Sequence, residues 1–136
     1  MLSQSHKQRY SRAINLPNVG EEGQLKLLDA SVLIVGVGAI GSIASTYLSA
    51  TGVGRIGLID FDTIDIGDLQ HQVLYETSFL NRPKVRSAQA KLQKMNPDIT
   101  IEGYFEALDV HNALKIIQNY DFIIDATNNL HTTFLV

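Results

Sequence analysis

The sequence predicts an α/β protein: a doubly wound, mostly parallel sheet with helices on both faces. Three observations carry this. Short β-branched runs alternate with helical segments along the chain. The first run, SVLIVG (31–36), is apolar at nearly every position, as a strand covered on both faces must be. It leads straight into GVGAIG (36–41), a glycine loop that opens a helix.

Each element has its own local reason. NVGEEGQLKLLDA (18–30) spaces Leu25, Leu27 and Leu28 as a helix does. After the strand at 31–36, AIGSIASTYLSATG (39–52) reads as a helix stopped by Gly52. RIGLID (55–60) is a second strand. Residues 61–81 are loop-like, with a short helical turn near Leu69. RPKVRSAQAKLQKMN (82–96) is an amphipathic helix with Pro83 in its first turn, ended by Asn96-Pro97. DITIEGYF (98–105) alternates as a strand. DVHNALKIIQNY (109–120) is a helix with Asp109 at its N-cap, and DFIIDA (121–126) is a fourth strand. NNLHTTFLV (128–136) starts a further helix and stops on apolar residues, which suggests the N-terminal portion of something longer.

Composition narrows the function. The chain has 136 residues, 45% apolar and 18% charged, enough for one globular domain. Residues 1–30 form an N-terminal helical segment, and 31–136 form the sheet domain. The net charge of −3 and scattered basic residues argue against nucleic acid or a membrane surface as partner. No apolar run approaches a membrane span, and MLSQSHKQRYSR lacks the core of a signal peptide, so a cytoplasmic protein is expected. Without cysteine there is no thiolate nucleophile and no Cys-ligated zinc site in this chain.

The glycine loop points to a nucleotide. Gly36 permits a tight turn, Gly38 lets the backbone approach a phosphate, and Gly41 lets the helix pack closely. The helix then aims free N–H groups at the phosphates. LIDFDTIDIGDLQHQ (58–72) follows, dense in carboxylates. Asp60 ends the second strand, where a Rossmann-like fold places its ribose-binding acid, with Asp62 beside it. To this point NAD and ATP fit equally well.

RYSR (9–12), the glycine loop, DFDTID (60–65), RPKVRSAQAKLQKMNP (82–97) and DFIIDATNN (121–129) together resemble the ThiF/MoeB/HesA group and the adenylation domain of E1 enzymes. The resemblance runs from Arg9 onward. It implies ATP and Mg²⁺ as cofactors. It also implies adenylation of the C-terminal glycine carboxylate of a ubiquitin-fold sulfur carrier or a peptide. It gives Asp60 and Asp62 the ribose, and Lys84 the phosphates. It makes Arg12 the residue that reaches a partner's ATP, within a homodimer or an E1-like heterodimer, so that residues 1–30 face the dimer. Arg12 and Lys84 are then the catalytic candidates.

Three positions depart from the pattern of that group. After DTID it reads S-N-L-x-R-Q, against GDLQHQ here, so Asp68 stands for an asparagine and His71 for a phosphate-binding arginine. Where D-x-x-D-N is usual, DATNN puts Asn128 in place of a Mg²⁺-associated aspartate and leaves Asp125 as the carboxylate for the metal. Asp68 and His71 are expected to line the phosphate side and weaken it, and Asp65 to point away. Two alternatives therefore stand beside the adenylyltransferase: a non-catalytic nucleotide-binding or scaffold subunit, and, with less support, an NAD(P) oxidoreductase. His6, His111 and His131 show no metal-ligand spacing and are expected at the surface.

Overall fold

The computed structural model describes residues 1–136. Its four strands are β1 (Ser31–Val35), β2 (Arg55–Ile59), β3 (Thr100–Tyr104) and β4 (Phe122–Asp125). They form one parallel sheet in the order β3-β2-β1-β4. The helices are α1 (Gln4–Arg9), α2 (Ser11–Ile14), α3 (Gly20–Asp29), α4 (Ala39–Thr51), α5 (Lys84–Met95), α6 (Ala113–Ile117) and α7 (Leu130–Thr133). Two 3₁₀ turns, Ile66–Gln70 and Thr77–Phe79, lie in the segment expected to be loop-like.

From β1 the chain winds outward through β2 to β3, then crosses back to lay β4 on the other side of β1. The winding reverses at β1, and a crevice opens beyond the carboxyl ends of β1 and β4. In register, Val35 pairs with Ile59 and Asp125, so the loops after three strands leave the sheet at one level.

β1 reads as an unbroken apolar run because its residues serve two cores. Val32 and Ile34 join Ile56, Leu58, Val85, Ala88 and Leu92 under α4 and α5. Leu33 and Val35 join Ile59, Ala113, Ile116 and Tyr120 under α6. α4 inverts the usual pattern: it buries Gly41, Ser42, Ser45 and Ser49 and exposes Ile40, Ile43 and Tyr47. Small residues let the helix lie close to the sheet, and the Ser42 and Ser45 hydroxyls are satisfied by the carbonyls of Ala39 and Ser42.

The N-terminal helices pack on the body of the same chain. Tyr10 is buried, and the Asn96 amide donates to its hydroxyl at 2.9 Å and to the Ser49 carbonyl at 2.7 Å. Arg9 pairs with Asp98 at 3.1 Å.

Two helix starts differ from expectation. Pro83 precedes α5 as its N-cap rather than sitting inside its first turn. The helix expected over 109–120 is regular only from Ala113 to Ile117. Asp109 instead accepts the N–H groups of His111 and Asn112, while the Asn112 amide donates back to Glu106 and the Ala107 carbonyl. Those local bonds compete with helix propagation.

Candidate active site

A cleft of about 460 Å³ opens over the carboxyl ends of β1, β2 and β4. Gly36, Gly38, Asp60, Asp62, His71, Lys84 and Asn128 all line it, so the structure gathers seven of the residues singled out from sequence.

The glycine loop forms its floor. Gly36 has φ of 88°, and a Cβ there would lie 2.9 Å from the Thr127 methyl and 3.2 Å from the Ala126 backbone. Both strain and space therefore demand glycine. Gly41, the third glycine of the loop, does not itself line the cleft. A Cβ on it would sit 1.9 Å from the Gly36 carbonyl oxygen, so it acts by letting α4 approach the loop. The N–H groups of Gly38, Ala39, Ile40 and Gly41 carry no hydrogen bond. They form the open N-terminus of a 13-residue helix, a natural seat for an anion.

Two side chains fix the loop. Asp60 accepts the Val37 N–H at 2.7 Å with one oxygen and the Asp62 N–H at 2.8 Å with the other. Tyr75 is buried and donates to the Val37 carbonyl at 2.7 Å. Burial, with Asp60 and Asp68 nearby, raises the Tyr75 phenol far above its ordinary value, so it stays a donor.

Lys84 is the cation of the cleft. It is 6% exposed, and its backbone N–H donates to the Asp62 carbonyl at 3.0 Å. Its ammonium lies 3.3 Å from Asp68 and 3.8 Å from Asp62. Contrary to the expectation that it lines the phosphate side, Asp68 lies outside the cleft lining; it stands behind Lys84 and Gln72. Its Oδ1 accepts the Gln72 amide at 2.7 Å, and its Oδ2 accepts the Asp65 N–H at 2.9 Å. Burial works to raise the Asp68 carboxyl, but the Asp65 N–H and the Lys84 ammonium outweigh it and hold the group below its ordinary value. Asp65 is exposed, as expected, and caps the 3₁₀ turn by accepting the Gly67 N–H at 2.8 Å.

Asp125, expected as the Mg²⁺ ligand, is engaged by threonine donors in this structure. Its Oδ1 accepts the Thr127 N–H at 3.0 Å and hydroxyl at 2.7 Å, and its Oδ2 accepts the Thr133 hydroxyl at 2.6 Å. It lies outside the cleft lining, and no three acidic or histidine side chains gather as a metal site. The residues present do not fit a protein-held Mg²⁺. Arg12, on α2, is exposed, is in no ion pair and does not reach the cleft of its own chain. His111 and His131 are exposed, and His6 is partly exposed beside Tyr10.

Gln72, Tyr75 and Thr127 were not foreseen. Gln72 is the last letter of GDLQHQ, where the resemblance could have marked it. It is 5% exposed and lines the cleft, and its side-chain Oε1 has no partner within the protein.

The sequence profile of the ThiF family matches residues 10–136. The chain belongs to the ThiF family. Among its relatives, a sulfur carrier protein adenylyltransferase of Thermus thermophilus is 44% identical over 94% of this chain and 47% of its own length. A molybdopterin-synthase adenylyltransferase of Haemophilus influenzae is 44% identical over 96% of this chain and 54% of its own length. The chain thus spans about half of each of these relatives. Among solved structures, E. coli TcdA, a tRNA N6-threonylcarbamoyladenosine dehydratase, in complex with ATP superposes with a TM-score of 0.92 at 24% identity. That match covers 99% of this chain and 55% of TcdA. E. coli MccB with MccA-N7isoASN superposes at 0.81 with 28% identity, over 98% of this chain and 40% of MccB. The TcdA likeness shows the fold: a ThiF-type parallel sheet with helices on both faces.

Proposed function

We propose that this ThiF-family chain forms the ATP site of an E1-like adenylyltransferase acting on the C-terminal carboxylate of a ubiquitin-fold sulfur carrier or a peptide. One observation carries it: the buried Lys84 side chain shares a cleft with Gly38, Ala39 and Ile40, whose free N–H groups open α4. Relatives named for sulfur carrier and molybdopterin-synthase adenylylation support the substrate class.

In that reaction a carboxylate oxygen attacks the α-phosphorus of ATP. The bond to the β-phosphate oxygen breaks, pyrophosphate leaves and an acyl-adenylate forms. Anions converge, so rate comes from fixed positive groups aimed at the developing charge. The α4 N–H groups and Lys84 supply these, and Asp60 and Asp62 face the ribose. Asp60 has acceptor capacity for this, since a carboxylate offers about four lone-pair sites. Arg12 acts on the ATP of a second protomer in a homodimer or E1-like heterodimer, and the protein works in the cytoplasm. Family membership weighs against the NAD(P) alternative.

A second reading, a nucleotide-binding subunit without catalysis, is favoured by Lys84 standing between two carboxylates with neutral Asn128 at the rim. Mass spectrometry separates them. Incubation with ATP and a ubiquitin-fold carrier should yield a carrier–AMP adduct that a carrier with an amidated C-terminus does not form. ATP binding without adduct on any such carrier would favour the second reading.

A further inference from the structure

Lys84 has two counter-ions, and they differ. Asp62 is 3.8 Å away and its side chain is 54% exposed, so water screens the pair. Asp68 is nearer, at 3.3 Å, with only 17% of its side chain exposed. At shorter range and in lower dielectric, Asp68 is the stronger partner.

Asp68 is also held in place. Its Oδ2 accepts the Asp65 N–H while Asp65 caps the same turn in return, a reciprocal capping box. Its Oδ1 holds the Gln72 amide at 2.7 Å. These bonds hold the carboxylate behind two cleft-lining side chains.

Resting on the reading of the cleft as an ATP site, we propose that Asp68 competes with the nucleotide phosphates for the Lys84 ammonium and thereby sets a low ATP affinity. A phosphate entering the cleft meets a cation whose charge is already compensated. Asp68 lies outside the cleft lining, so its effect on the phosphates runs through Lys84.

The test is a double-mutant cycle by calorimetric titration of ATP. Asp68→Asn keeps the shape and a carbonyl acceptor but removes the charge. It should tighten ATP roughly tenfold, the scale of one charge-assisted contact. In a Lys84→Met background the same change should leave affinity within about twofold, because the competed cation is gone. Asp68→Ser, a second uncharged variant, replaces Asp68→Asn should the latter fail to fold. Unchanged or weaker binding by Asp68→Asn, or equal tightening in both backgrounds, would overturn the inference while Lys84→Met still weakens ATP and upholds the site. If wild type and every variant fail to bind ATP, the nucleotide reading itself falls.

Discussion

Asp60 ties the end of β2 to the glycine loop: its carboxylate accepts the Val37 N–H at 2.7 Å. Val37 is fully buried, so that N–H has no water to turn to. The acid expected to bind ribose therefore also shapes the phosphate seat. Asp60→Ala should destabilise the protein by about 1–3 kcal/mol, the cost of an orphaned buried donor. Asp60→Asn, which keeps one acceptor, should cost less. Urea denaturation of the three proteins checks the order, and equal midpoints would show that the bond contributes nothing.

The glycines separate binding from folding. A Cβ on Gly38 meets nothing nearer than the Gln72 amide nitrogen at 3.9 Å, whereas on Gly41 it meets the Gly36 oxygen at 1.9 Å. Gly38→Val should stay folded and lose ATP binding, because the side chain projects toward the phosphate position. Gly41→Ala should lower the melting temperature whether or not nucleotide is present. Circular dichroism melts beside ATP titrations decide this, and a Gly38→Val protein with wild-type affinity would contradict it.

Local patterns in the sequence were legible and long-range pairings were not. Gly36, Gly38 and Asp60 could be placed because strand, loop and strand end follow within one β-α-β unit. Asp68 is expected at the cleft because it stands where the family pattern has an asparagine, a position that does not reveal its pairing with Lys84. Asp125 shows the same gap: a carboxylate was visible, but not that Thr127 and Thr133 already occupy it. Tyr75 reaches Val37 across 38 residues, a distance that no periodicity reports. α4 was placed correctly as a helix, yet its buried face is the one with the small residues.

Acid should destabilise the fold through Asp125. Burial tends to raise its carboxyl, but hydrogen bonds from Thr133 and Thr127 hold it below the ordinary aspartate value. A depressed folded-state value means the contribution is complete above the unfolded value, about 3.9. It is lost as pH falls through the folded one. Asp125→Asn should show a flatter fall in stability below about pH 4 than wild type. Urea midpoints from pH 7 to pH 3 (a range chosen to span the ordinary aspartate value) measure it, and parallel curves would count against the assignment.

Arg12 should act only across protomers, because it does not reach its own cleft. Arg12→Ala and Lys84→Met proteins should each lack adenylation and regain part of it when mixed, since one mixed cleft keeps both residues. No recovery in a mixture shown by sedimentation to contain dimers would place Arg12 outside the reaction.

Lys84 and the start of α4 should bind ATP for attack by a carrier's carboxylate. Exchange of labelled pyrophosphate into ATP reads out this step. Exchange should require a carrier with a free C-terminal carboxylate, and Lys84→Met and Gly38→Val should both abolish it. Exchange that persists undiminished in Lys84→Met, or that proceeds equally without any carrier, would contradict it.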